Sequence, residues 1–176
     1  MDLGDVGVEW FLRQQAALPT KPSLWEWIWK LSCPKKLQVF NWKSMQDWLP
    51  TQQYLLFSWF EVSANCPRCN NPETTIHVLR DCPWAKDVWI CSPGILPLEF
   101  FSLPLQEWLI MNSKSDTLLQ GQQIPWKIFS SFLCCQLWLS LNDCIFNKHS
   151  SSQSHLIYKA VQHAIEFFYL ATKFVF

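Results

Sequence analysis

A mainly α-helical fold is what this sequence predicts, and three observations carry the prediction. Apolar residues recur at helical intervals through several stretches of the chain, and prolines stand at the edges of those stretches. Three cysteines and a histidine between positions 66 and 82 have the spacing of a tetrahedral metal site. Together these give a small zinc-stabilised helical module followed by an apolar helical hairpin.

In chain order, residues 1–22 read as an acidic N-terminal tail ending in Leu18-Pro19-Thr20-Lys21-Pro22, where two prolines oppose a continuous helix. Ser23 and Glu26 have capping-box spacing, so a short helix starts there, carries Leu24, Trp25, Ile28 and Trp29, and ends before Pro34. Pro34 suits the first position of a second helix, in which Leu37, Phe40, Met45 and Trp48 recur at near-helical intervals. Lys35, Lys36 and Lys43 give that helix a basic side. Leu49-Pro50 breaks it, and Thr51 caps a third helix to about Trp59, with Tyr54, Leu55 and Phe57 supplying apolar contacts. Residues 23–91 thus form one module that includes the cysteine cluster.

Residues 92–124 read as a loop-rich linker, because Pro93, Gly94, Pro97 and Pro104 oppose a long helix and a further loop runs from Asn112 to Gln123. The C-terminal region, 125–176, holds a long apolar helix to Phe146 and a second from about Ser154 to Lys173 with Leu156, Ile157, Val161, Ile165 and Phe168. The apolar stretch from Ile128 to Leu141 is short against the roughly 20 residues a membrane span needs. It reads as a buried helix, and no membrane partner is expected.

Composition bounds the function. The chain has 176 residues, 49% hydrophobic and only 16% charged, with 12 Trp and 13 Phe. Either the core is unusually aromatic or some of that surface meets a partner. Lys plus Arg and Asp plus Glu balance at 14 each, so any nucleic-acid contact must be local. The start Met1-Asp2-Leu3-Gly4-Asp5 lacks the features of a secretory or transit signal, so an intracellular, reducing setting is expected, nuclear or cytoplasmic. The eight cysteines then read as metal ligands and buried thiols rather than as disulfides.

Cys66, Cys69, His77 and Cys82 form C-x2-C-x7-H-x4-C, a ligand set that suits one Zn2+. Asn70 and Asn71 tolerate the left-handed backbone that such knuckles use. On an unbroken helix His77 and Cys82 would diverge by about 140°. Pro83 supplies the bend, since it disfavours helical geometry at Cys82 and suits the start of the next helix. Four protein ligands leave no open position, so the ion is structural and does not activate water. Arg68, Arg80 and Lys86 lie close enough in sequence to offset the site's net negative charge. Two other readings of the cluster stay open here: ordinary buried thiols, and a redox pair, which lacks the surrounding strand-helix-strand pattern.

The run Trp25-Glu-Trp-Ile-Trp-Lys-Leu-Ser-Cys-Pro34-Lys-Lys-Leu-Gln-Val-Phe40-Asn-Trp42, then Asp47-Trp-Leu-Pro50-Thr51, then the cluster through Cys82-Pro83-Trp-Ala85-Lys-Asp-Val88-Trp89, closely resembles the zinc-binding domain found after reverse transcriptases of plant non-LTR retrotransposons. The resemblance covers about residues 24 to 90 and places the family's metal ligands on Cys66, Cys69, His77 and Cys82. Residues Trp138 to Phe146 resemble the Trp-x-x-Arg-Asn-x-x-Phe signature of the linker before a ribonuclease H domain, with Leu141 where the family has arginine. With neither polymerase nor ribonuclease H domain alongside, the chain looks like a stand-alone fragment of such a polyprotein.

No Tyr-x-Asp-Asp motif, ribonuclease H carboxylate set or Gly-rich phosphate loop is present, and the reading is of a non-enzyme without a small-molecule substrate. His149, His155 and His163 read as surface residues. Weak RNA or DNA binding is expected from Lys30, Lys35, Lys36, Lys43, Arg68, Arg80 and Lys86, interleaved with Trp25, Trp27, Trp29 and Trp42. Over residues 30–87 those seven cations face five carboxylates, so binding is weak and salt-sensitive. The alternatives are a protein-interaction module using a Trp-rich surface, and a transposon remnant without a selected function.

Overall fold

The computed structural model describes residues 26–31, 33–57 and 63–173. Seven α-helices are present among them: α1 Glu26–Lys30, α2 Lys35–Met45, α3 Gln52–Phe57, α4 Pro83–Ile90, α5 Leu105–Lys114, α6 Trp126–Asn147 and α7 Gln153–Lys173. A single π-helical turn, His77–Asp81, precedes α4. The described residues contain no strand, only two isolated bridges. The N-terminal tail, the Ser23 cap with Leu24 and Trp25, and the end of the third helix at Trp59 lie outside the described residues.

Local chemistry explains most boundaries. Pro34 immediately precedes α2 with extended backbone, as a residue lacking an N–H can without loss. Gln38 is buried, and its amide donates to the carbonyls of Trp29 and Leu31 at 3.2 and 3.0 Å, which closes the end of α1 onto α2. Helix α2 buries Leu37, Phe40 and Met45 as the periodicity predicts, but it stops at Met45. Asp47 follows in a left-handed conformation (φ 57°), and the turn lays Trp48 edge-on against Trp42 at 5.4 Å. The Thr51 hydroxyl accepts from the Tyr54 amide at 3.2 Å, so the predicted cap forms. The apolar contacts expected of α3 do not reach the core: the helix buries no residue, and Phe57 is exposed.

The apolar hairpin is α6 packed on α7, and α6 is the central helix of the fold, also meeting α2, α5 and the π-helical turn. Among the described residues α6 alone is long and apolar enough to cross a membrane, and most of that stretch is buried inside the fold. Its partner α7 approaches through Leu156, Ala160 and Ala164, which are buried, while Ile157, Val161 and Ile165 are only partly covered. Alanines at the contact let the two backbones come close, a role that a search for large apolar residues misses.

The stretch read as loop-rich differs most from expectation. Helix α5 forms there, and Trp108 and Phe100 are fully buried. They join Trp89 of α4 and Trp126 of α6 in one aromatic nucleus, with Trp89 ring centroids 5.2 Å from Phe100, 5.7 Å from Trp108 and 5.9 Å from Trp126. The Trp89 indole donates to the Leu79 carbonyl at 2.7 Å, and that of Trp126 to Asn112 Oδ1 at 2.7 Å, so both polar edges are satisfied. Gly94 lies so close under Trp126 that an added Cβ would sit 2.0 Å from its ring. Gly94→Ala should therefore destabilise by about 1–3 kcal/mol, the usual cost of overpacking, read as a lowered midpoint in urea with an unchanged slope.

Candidate metal centre

The site is assembled from one loop and one unusual turn. Residues 63–74 fold back on themselves: the Cys66 amide donates to Asn71 O at 2.8 Å, Asn70 N to Cys66 O at 2.8 Å, and Glu73 N to Ala64 O at 2.9 Å. Asn70 adopts φ 59°, the left-handed position predicted for the knuckle. Asn71 does something further, donating from Nδ2 toward Cys69 Sγ at 3.6 Å. The Thr74 hydroxyl accepts from the His77 amide at 3.1 Å and so starts the turn that delivers the histidine.

The divergence between His77 and Cys82 is removed by the backbone itself. The Cys82 amide bonds to the His77 carbonyl at 2.8 Å, a five-residue closure that widens the turn and brings both side chains to one side. Cys82 then leaves helical geometry, with ψ 131°, immediately before Pro83 opens α4. The proline acts as predicted, and the widened turn joins it in the realignment.

The outcome is a compact donor set. One ligand atom from each of Cys66, Cys69, His77 and Cys82 lies within 4.8 Å of every other. His77 Nε2 sits 3.2 Å from Cys69 Sγ, and Cys82 Sγ sits 4.0 Å from it. A tetrahedron with metal–sulfur bonds of about 2.3 Å has sulfur–sulfur edges of about 3.8 Å, so the set fits an ion of that coordination. Cys66, His77 and Cys82 are buried, and Cys69 is partly exposed.

The thiols themselves call for a cation. Donation from Cys66 holds the Cys82 thiol well below its ordinary range, helped by His77 and by the amides of Trp84 and Ala85 at the start of α4. The same bond, with burial, pushes the Cys66 thiol well up. Three sulfurs this close cannot all ionise without a positive charge between them. By contrast, burial pushes Cys33 up to about 12 against the pull of Lys35, and burial with the neighbouring Cys135 raises Cys134, which makes both inert core thiols. No cysteine is in a disulfide.

Residues 8–89 match the family described as zinc-binding in reverse transcriptase. This stretch is a reverse-transcriptase zinc-binding domain. The match begins inside the segment read as a tail and contains all four candidate ligands. The chain is also similar to an Arabidopsis thaliana protein described as a ribonuclease H protein, with 27% identity over 122 residues, covering 68% of this chain. It spans 19% of that relative's length. No solved structure matches the chain significantly.

The seven cations predicted to meet nucleic acid are split by the fold of this zinc-binding domain. Lys35, Lys36 and Lys43 are exposed along α2. Lys30 is exposed but paired with Glu26 at 3.0 Å, and Lys86 is exposed on α4 with its ammonium 5.9 Å over the Phe101 ring. Arg68 lies over Trp84 at 3.8 Å and donates to Ser140 O and Oγ at 3.0 and 2.9 Å, which fastens the cysteine loop to α6. Arg80 must be corrected outright, because it is an interior residue, 5% exposed. It pairs with Asp81 through two bonds of 2.7 and 3.2 Å and donates to the carbonyls of Phe100 and Leu103 at 3.2 and 2.6 Å. Its placement in the widened turn, followed at once by Asp81, points the guanidinium inward.

Of the aromatics in that reading, Trp27 and Trp42 are half-buried, Trp29 is 49% exposed, and Trp25 lies outside the described residues. The residue that sequence reasoning overlooked is Glu73, four positions before His77 and 1% exposed. Its Oε1 accepts from the Gln52 amide at 2.8 Å. Burial pushes its carboxyl up to about 7, against the pull of the Gln52 amide and His77.

Proposed function

We propose that this chain is a non-catalytic structural zinc module of retrotransposon origin that holds one Zn2+ through Cys66, Cys69, His77 and Cys82 and contacts nucleic acid weakly through α2. The observation that carries the reading is the closed donor set: four protein ligands converge from a loop and the turn that follows it. A site of this kind contributes folding free energy and leaves no coordination position for water chemistry. Native mass spectrometry of the full chain should find one zinc, lost on treatment with a strong chelator. A folded, metal-free chain would overturn the assignment.

The nucleic-acid part rests on Lys35, Lys36 and Lys43, which are exposed on one helix and have no ion-pair partner among the described residues. Three phosphate contacts give a shallow salt dependence, a slope of roughly −2 to −3 in log affinity against log salt. Lys35→Glu with Lys36→Glu should remove most of the binding to a single-stranded oligonucleotide in an anisotropy titration, at unchanged zinc content. Equal binding by the double variant would refute the α2 contact. The protein-interaction alternative has less to stand on, because Trp89, Trp108, Trp126 and Trp138 belong to the core and not to a surface.

A further inference from the structure

Two facts about the metal site leave a matched pair of needs. His77 turns Nε2 toward Cys69, at 3.2 Å, so Nε2 is the nitrogen that faces the ion. A neutral imidazole with a metal on one nitrogen carries its proton on the other, and ligand histidines regularly donate that proton to a carboxylate, a carbonyl or water. Four residues earlier stands Glu73, whose Oε1 is engaged by the Gln52 amide while its Oε2 is buried without a partner. A buried, unbonded carboxylate oxygen is costly and has a reason where it persists. The charges of His77 and Cys82 both act on the Glu73 carboxyl, His77 favouring its ionised form and Cys82 opposing it.

We infer that Glu73 is a positioning residue for the metal: its Oε2 accepts the Nδ1 proton of His77 when Nε2 is bound, fixing the tautomer and the ring orientation. This rests on the zinc reading above. The same side chain then does two jobs, holding the start of α3 through Oε1 and the histidine ligand through Oε2.

Glu73→Gln tests the idea, because glutamine keeps an oxygen for the Gln52 amide and replaces Oε2 with a donor that cannot accept from Nδ1. Measured on the full chain by competition with a chelator of known affinity, zinc affinity should fall about 10- to 100-fold, with the helical signal of the zinc-loaded variant unchanged. Affinity within twofold of the parent would overturn the inference. Should the variant fail to fold, the parent still decides: in the zinc-loaded protein the His77 Nδ1 proton should give a slowly exchanging imidazole resonance. Exchange at the rate of a solvent-facing ring would overturn it equally. If the parent chain binds no zinc, the zinc reading itself fails; if it binds zinc and Glu73→Gln binds as tightly, only the role of Glu73 falls.

Discussion

Removing the metal should unfold far more than the cysteine loop. Structural zinc contributes about 10–16 kcal/mol in small zinc-dependent folds, as much as the whole stability of an ordinary domain, about 5–15 kcal/mol. Here the loop holding Cys66 and Cys69 is fastened to α6 through Arg68 and Ser140, and the turn holding His77 and Cys82 carries Leu79 and Arg80 into the core. Chelation, or Cys82→Ser, should therefore abolish most of the far-ultraviolet helical signal and the near-ultraviolet signal of the aromatic nucleus together. Loss confined to a few residues, with the Trp89 environment intact by fluorescence, would show that the hairpin and its aromatic partners stand without the metal.

The second large effect is expected at Arg80. Replacing it with alanine leaves the carbonyls of Phe100 and Leu103 without their donor and Asp81 without its partner, in a region closed to water on the arginine's side. Breaking such a buried pair from one end costs about 3–5 kcal/mol. For a chain of this size that lowers the thermal midpoint by roughly 6–20 °C. Asp81 keeps some exposure, so the orphaned carbonyls dominate the loss. Oligonucleotide affinity per folded molecule should not change, because Arg80 never faces solvent. A midpoint shift under 2 °C would mean that water replaces the guanidinium.

How far the fold could be read in advance depends on what each signal measures. Proline position and helical periodicity found α6 and the start of α2 within a residue or two, because both act through local backbone sterics and one buried face, but they carried α2 through Trp48, past its end at Met45. They missed α5, where Pro93, Pro97 and Pro104 argued for loops; Pro104 instead sits just ahead of the helix, and Trp108 holds it in the core. The four candidate ligands, which the fold brings together, were legible because coordination demands fixed residue types at fixed spacing. Arg80 and Glu73 were not. A lone arginine reads as surface charge and a lone glutamate as solubility, and only tertiary placement shows that both are buried, Arg80 within the turn that carries the histidine and Glu73 just ahead of it.

That turn makes three different demands on five consecutive residues. His77 faces the three candidate thiol ligands, Val78 and Leu79 face the core, and Arg80 reaches the 100–103 segment. Its gauge is set by the five-residue closure between His77 and Cys82, and the x4 interval is a length constraint as much as a ligand pattern. Substitutions there can fail one demand at a time, whereas inserting or deleting a single codon would rotate all three out of register at once.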